Sequence, residues 1–333
     1  MLALIAATCA HCGAVKGASG GSGASDIADI DFGDAGDDGI GADSGSAPPP
    51  SGNGSNDGGD ATVFAGGGKD QCSQATLIPL SGANPRVDLP STTVGATHDV
   101  DAPCAAEQGP DIFYRFAVSK RAFIYADTFG ATWDTVLFLL SDSCVPIPTT
   151  MSGGATCSDD GCGTKQSQLV ALVEPGYYKL GLAGRGSATG AATIHFEWAL
   201  AGSGNVAQLP KMNSVQVGTT FGSGGNIDGI SGDCLAAAAE NSYWWARCPS
   251  DPAQTLNAST CAGGTTWESV LETQIPRSAP AKPSAYTCNV NGCGLQSTLT
   301  TSIPAGAGLG VLSIDGQGGN DVGPYTMTVT YTP

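Results

Sequence analysis

Asp159 and Asp160 stand side by side inside Cys157-Ser-Asp-Asp-Gly-Cys162, and Asp99, Asp101 and Glu107 precede an aromatic stretch at 113–116. Carboxylates gathered in loops suit a hard cation, since calcium takes about six to eight oxygens from carboxylates, carbonyls and water. Calcium is therefore the one candidate cofactor, with Asp99, Asp101, Asp159 and Asp160 as its ligands if the fold brings them together. The plainer reading is that aspartates at loop positions close turns through their own side chains.

Catalysis finds little material. A Ser-His-Asp arrangement needs an oriented histidine beside a nucleophile, and the chain has three histidines, His11, His98 and His195. His195 sits in the alternating run 193–198, where a strand-face position is the simpler account. Two adjacent carboxylates such as Asp159 and Asp160 point apart on an extended chain, so a paired-carboxylate hydrolase is poorly served. Gly306-x-Gly308-x-Gly310 leads into a strand rather than a helix, which a nucleotide loop does not do. Trp244 and Trp245 are the candidates for stacking on a sugar. Adjacent strand residues face opposite ways, so one of the two is expected in a core and the other at solvent or a partner.

The chain has 12 cysteines, a number that points to an oxidising compartment. With so few histidines, disulfides are the expected use and zinc the lesser one. The spacing suggests Cys72 with Cys104, Cys157 with Cys162, Cys248 with Cys261, and Cys288 with Cys293. Cys144 and Cys234 are then left over, to be joined across domains or to displace one of these pairs, with Cys144–Cys157 the main competitor.

Over 333 residues there are 13 Lys+Arg against 30 Asp+Glu, a net charge of −17. That balance offers no basic surface for nucleic acid. No run of apolar residues is long enough for a spanning helix. Residues 1–12 read as a partial signal or lipoprotein-like segment. Ala6-Ala7-Thr8-Cys9 resembles a bacterial lipobox, which makes Cys9 a lipidation candidate, although Thr8 stands where Gly, Ala or Ser is usual. Residues 13–70 hold 17 Gly and 10 Asp with only Phe32 and Phe64 as aromatics, a composition unable to bury enough apolar surface to offset its ordering entropy. They read as a disordered acidic linker. An EF-hand loop starting at Asp29 fails where Gly33, Asp34 and Ile40 occupy its fifth, sixth and twelfth positions.

Beyond the linker the chain repeats itself. Thr132-Trp-Asp-Thr-Val136 returns as Thr266-Trp-Glu-Ser-Val270, and Thr156-Cys-Ser-Asp-Asp-Gly-Cys-Gly163 as Thr287-Cys-Asn-Val-Asn-Gly-Cys-Gly294. Gln166-Ser-Gln-Leu169 returns as Gln296-Ser-Thr-Leu299. An offset of roughly 130 residues is a duplicated domain rather than a solenoid. Short β-branched and aromatic runs are expected as strands at 112–118, 123–128, 136–140, 168–173, 177–183 and 192–198, and again at 297–303, 309–314 and 325–331. Only 235–240 suggests a helical turn. The expected fold is all-β, two tandem jelly-roll-like antiparallel β-sandwiches at 71–200 and 201–333.

Asp111-Ile-Phe-Tyr-Arg-Phe116, Thr132-Trp-Asp-Thr-Val-Leu137, Cys157-Ser-Asp-Asp160 and Glu174-Pro-Gly-Tyr-Tyr178 together resemble the bacterial pre-peptidase C-terminal (PPC) domain, as carried by exported proteins of myxobacteria and their relatives. The likeness covers 71–200 well and 201–333 in degraded form. It implies a non-catalytic β-sandwich, attached in that family to secreted enzymes and in some relatives able to bind calcium or collagen. In the second copy Asp159-Asp160 becomes Val290-Asn291 and Asp111 becomes Asn241, so any carboxylate site belongs to the first.

These observations lead to an exported, non-enzymatic module of the extracellular space or outer-membrane surface of a Gram-negative bacterium. It would bind extracellular polysaccharide or a matrix or surface protein, with a lipid anchor as an added option. A ligand-free spacer within a surface assembly is the alternative, and a secreted hydrolase the remote one.

Overall fold

The structure is a computed structural model and describes residues 62–63, 67–80, 85–148, 154–221, 240–276 and 286–333. Cys9, Cys12, His11, Cys234 and the helical turn expected at 235–240 lie outside these residues, except for Glu240, which belongs to no helix. Among the described residues the only helix is a single 3-10 turn at Cys72–Gln74, and none is long and apolar enough to cross a membrane.

The first sandwich contains β1 (Thr62–Val63), β2 (Thr76–Leu77), β3 (Arg86–Thr92), β4 (Gln108–Val118), β5 (Ala122–Asp127), β6 (Thr135–Ser141), β7 (Cys157–Ser158), β8 (Gln168–Val173), β9 (Gly176–Arg185) and β10 (Ala191–Leu200). They form two sheets, A in the order β1-β3-β10-β5-β8 and B in the order β2-β4-β9-β6-β7. Consecutive strands mostly alternate between the sheets, which is the jelly-roll path. Strand alternation sends Tyr114 and Phe116 of β4 inward to meet Leu89, Ile124, Leu139, Leu180 and Phe196 in the core. On the outer side of sheet B a smaller apolar cluster, including Phe113, Phe138 and Cys157, lies beneath loops.

The second sandwich repeats this plan. Its strands are β11 (Val206–Gln208), β12 (Ser214–Thr219), β13 (Asn241–Arg247), β14 (Gln254–Ser259), β15 (Ser269–Gln274), β16 (Tyr286–Val290), β17 (Thr298–Ile303), β18 (Gly308–Gly316) and β19 (Pro324–Thr332). Sheet E runs β11-β13-β18-β15-β16 and sheet F runs β12-β19-β14-β17. Apart from β1, which has no counterpart among the described residues, these are sheets B and A again strand for strand; even the parallel pairing of β2 with β4 recurs as β11 with β13. Trp245 fills the core with Tyr243, Leu271, Leu312 and Met327. It lies flat over Gly310, its cross-strand neighbour, where any Cβ would run into the indole.

The two sandwiches pack face to face, the outer side of sheet A against the outer side of sheet E. Phe123, Tyr125, Leu172 and Ala199 of the first meet Trp244, Leu309 and Val311 of the second in one buried cluster. Polar contacts frame it: Leu200 N donates to Gln274 Oε1 at 2.8 Å and Gln274 Nε2 donates back to Leu200 O at 3.1 Å. Leu309 N donates to the buried Glu197 carboxylate at 2.8 Å, and Arg121 reaches Gly202 O and Gly204 O at 2.6 and 2.9 Å. The result is a series of four sheets, B, A, E and F.

Several expectations need correction. The first sandwich reaches back into the stretch read as linker: β1 pairs in parallel with β3, and the Asp70 carboxylate accepts from Thr97 N at 2.6 Å. Strands β3, β12 and β14 were not expected, because Asp88 and Pro90 in β3 and the mostly polar β12 and β14 carry no run of apolar or aromatic residues.

The cysteines expected to be oxidised are so, but not in the pairs their spacing suggests. Cys72 bonds Cys144, Cys104 bonds Cys157, Cys162 bonds Cys248 and Cys261 bonds Cys293. Cys288 is also in a disulfide. Cys157 and Cys162 are parted by the turn between them. Cys157 is buried on the outer side of sheet B, whereas Cys162 is exposed on a left-handed residue (φ 55°) and turns toward the second sandwich.

Candidate metal site

Each sandwich holds a buried hydroxyl cluster that fixes the loop after its seventh or sixteenth strand. In the first, Thr128 Oγ1 and Thr135 Oγ1 lie 2.6 Å apart, and Ser167 N donates to both at 3.0 Å. Ser167 Oγ donates to Thr135 O at 2.5 Å and approaches Asp159 O at 3.1 Å. In the second, Thr260, Ser269 and Ser297 repeat the arrangement, with Ser297 Oγ reaching Asn289 O at 2.9 Å. The bonds tie the start of the sixth or fifteenth strand to the loop after the next, so the residue just before that strand faces the loop.

In the first sandwich that residue is Asp134, and it meets Asp159 and Asp160. One oxygen from each of the three carboxylates lies within 4.8 Å of the others. Asp134 Oδ1 and Asp159 Oδ1 are buried without a hydrogen-bond partner. Burial raises the Asp159 carboxyl above its ordinary range, and Asp160 and Asp134 add to the rise against the opposing pull of Arg185. Arg185 pairs with the other Asp159 oxygen, and Lys165 lies 3.8 Å from Asp134. Hard oxygen donors with two orphaned oxygens suit calcium rather than a softer ion.

In the second sandwich the corresponding residues are Glu268 and Asn291. With its amide oriented to satisfy its neighbours, Asn291 Nδ2 donates to Glu268 Oε1 and to Gly294 O, each at 3.0 Å. A neutral amide has replaced a carboxylate, and the remaining acid is satisfied without a cation.

Asp99 and Asp101 do not join this group. They belong to the loop before β4, which wraps the fully buried Asp111. Asp99 N and Val100 N donate to the Asp111 carboxylate at 3.0–3.1 Å, and His98 Nδ1 lies 3.5 Å from it. His98 Nε2 meets Asp101 at 3.0 Å. Burial pushes the Asp111 carboxyl up to about 6 despite these donors. Two separate sites therefore stand where one four-aspartate site was expected. Sequence reasoning missed Asp134, although its place in the Thr132–Val136 repeat, opposite Glu268, was a visible signal.

Trp244 and Trp245 are both buried, at 9% and 2% exposure. Trp245 is in the core of the second sandwich, and Trp244 lies against Phe123 of the first with ring centroids 6.4 Å apart. Neither ring face is free to stack on a sugar, which corrects that expectation. His195 Nδ1 meets Asp88 Oδ1 at 2.7 Å across β10 and β3. His195 also lines a cleft of about 370 Å³ beside Asp127, Pro249 and Ala307. Among the described residues neither His98 nor His195 hydrogen-bonds a hydroxyl or thiol.

No family model and no curated protein matches the chain. Among solved structures it is similar to the CUB1-EGF-CUB2 domains of rat MASP-1, at 10% identity and a TM-score of 0.18, covering 76% of this chain and 99% of that one. It is also similar to a chain of the Sulfolobus Turreted Icosahedral Virus, at 7% identity and a TM-score of 0.22, covering 67% of this chain and 56% of that one.

Proposed function

We propose that the chain is an exported, non-catalytic module that binds an extracellular polymer, polysaccharide or matrix protein, through a calcium-dependent surface on its first sandwich. Each sandwich is taken to be of the PPC type that its strand motifs resemble. The observation that carries the reading is the contrast at one position of the duplicated fold. Asp134, Asp159 and Asp160 converge in the first copy, whereas Glu268 and Asn291 satisfy each other in the second. Three carboxylates held together around unpartnered oxygens are costly unless a cation joins them. Asp134, Asp159 and Asp160 would hold calcium there, and the ion would fix the loop and leave coordination positions for an oxygen-rich ligand. The disulfides fit an oxidising, extracellular setting.

Co-sedimentation of the full chain with cellulose, chitin, peptidoglycan and collagen, with calcium or with chelator, tests this. The expected result is calcium-dependent pelleting with one of these polymers, abolished by Asp159→Ala plus Asp160→Ala. No pelleting with any polymer, together with a melting temperature indifferent to calcium, would leave the ligand-free spacer as the better account.

A further inference from the structure

Arg115 on β4 faces Lys179 on β9 across the outer side of sheet B. The matching places on sheet E hold Trp244 and Val311, which are buried against the first sandwich. The same pair of positions in the fold is thus part of an apolar docking surface in one copy and charged in the other.

Around the charged pair lies a groove of about 480 Å³, whose other polar lining comes from Ser73, Gln74, Asp142 and Ser143. Arg115 is paired with a carboxylate. Its Nε and Nη2 donate to the two Asp142 oxygens at 2.7 and 2.9 Å, and its guanidinium lies 4.1 Å from the centre of the Tyr177 ring. This bidentate bond holds the Asp142 carboxyl below its usual range.

Lys179 is not compensated in that way. Its residue is 5% exposed, and Nζ donates to Asp142 O at 2.7 Å and to Cys144 Sγ at 3.2 Å. Both acceptors are neutral, and the third N–H finds none among the described residues. The one carboxylate that feels its charge, Asp142, is already committed to Arg115. A buried ammonium without an anionic partner is costly. An anion entering the groove would remove that cost, at a cationic spot in a chain whose net charge is −17.

We propose that this groove binds a uronic acid residue of an acidic polysaccharide. Its carboxylate would rest on Lys179, and its hydroxyls would meet Ser73, Gln74 and Ser143. One carboxylate beside several hydroxyls matches one unfilled ammonium beside neutral donors and acceptors. A peptide C-terminus fits less well. It calls for a backbone nest and a pocket for its last side chain, and the apolar lining here is only Ala75 and the Cys72–Cys144 bridge. The inference rests on the reading of the chain as a polymer-binding module but uses a different site from the carboxylate cluster.

The test is calorimetric titration of the full chain, in chelator, with hexagalacturonate, with cellohexaose and with an uncharged hexapeptide bearing a free C-terminus. Hexagalacturonate is expected to bind and the other two not. Lys179→Met should weaken binding by about tenfold or more, the effect of losing a charge-assisted hydrogen bond. Because Lys179 is buried, Ser143→Asp at the exposed rim is the second variant and should cause a comparable loss. The proposal is overturned if hexagalacturonate fails to bind at millimolar concentration, if cellohexaose or the peptide binds equally well, or if neither variant changes the affinity. Uronate binding in chelator without calcium-dependent pelleting would overturn only the metal-site reading. Pelleting without uronate binding would overturn only this one.

Discussion

Cys162 and Cys248 join the two sandwiches covalently, with their Cα atoms 5.6 Å apart, although each sits in a loop of its own domain. Beside them Gln168 Nε2 donates to Arg247 O at 2.6 Å. The bridge lies at the rim of a contact whose centre is apolar. Replacing both cysteines by serine should cost about 2–4 kcal/mol through the freed unfolded chain, yet leave the sandwiches docked. A lower melting temperature with an unchanged small-angle scattering profile is the expected result, and an extended profile would show that the disulfide alone holds them together.

Trp244 should matter more to the docking than the bridge does. Truncating it to alanine removes the largest side chain that the second sandwich contributes to the shared cluster, at about 3–5 kcal/mol. Calorimetry should show one unfolding transition in the parent and two in Trp244→Ala, as the sandwiches lose their coupling. Trp245→Ala, which empties the second core instead, should lower the stability of the second sandwich directly.

Asp111 makes a pH signature. Its carboxyl is pushed up to about 6 in the folded chain, chiefly by burial, with His98 and the Asp99 and Val100 amides opposing the rise and the Asp99 charge adding to it. A folded-state value above the unfolded one favours the folded chain fully only at low pH. Its share of stability is therefore lost as pH climbs from about 4 to 6, at most about 3 kcal/mol. Glu272, raised to about 8 by burial and by Asp315, continues the decline at higher pH. The difference in melting temperature between pH 4 and pH 6.5 should shrink in Asp111→Asn. An unaltered difference would show that Asp111 does not titrate in this window.

Under the calcium reading proposed above, Arg185 competes with the ion. Its guanidinium occupies one oxygen of Asp159, so Arg185→Met should tighten calcium binding by about two- to fivefold, the equivalent of one displaced surface ion pair. Titration followed by the calcium-induced shift in melting temperature would measure it. Weaker binding in the variant would mean that Arg185 supports the loop rather than filling the site.

The strands beginning at Gln108, Gln168 and Gly308 were legible from the sequence because apolar and aromatic residues there either alternate or run unbroken, and burial of a face enforces that pattern locally. The duplication was legible for the same reason, since Thr132–Val136 and Thr266–Val270 keep the side chains that one fold needs twice. The oxidation of the cysteines also followed from residue identity, as did the loss of a carboxylate at Asn291 in the second copy. What partners each cysteine did not, because Cys157 and Cys162 are close along the chain but leave their turn in different directions. Nor did the split of the aspartates into a cluster around Asp134 and a separate loop around Asp111, nor the burial of Trp244. Each depends on which strands the jelly-roll path places side by side and on which outer sheet faces another. Those are contacts between residues far apart in sequence, and only tertiary packing decides them.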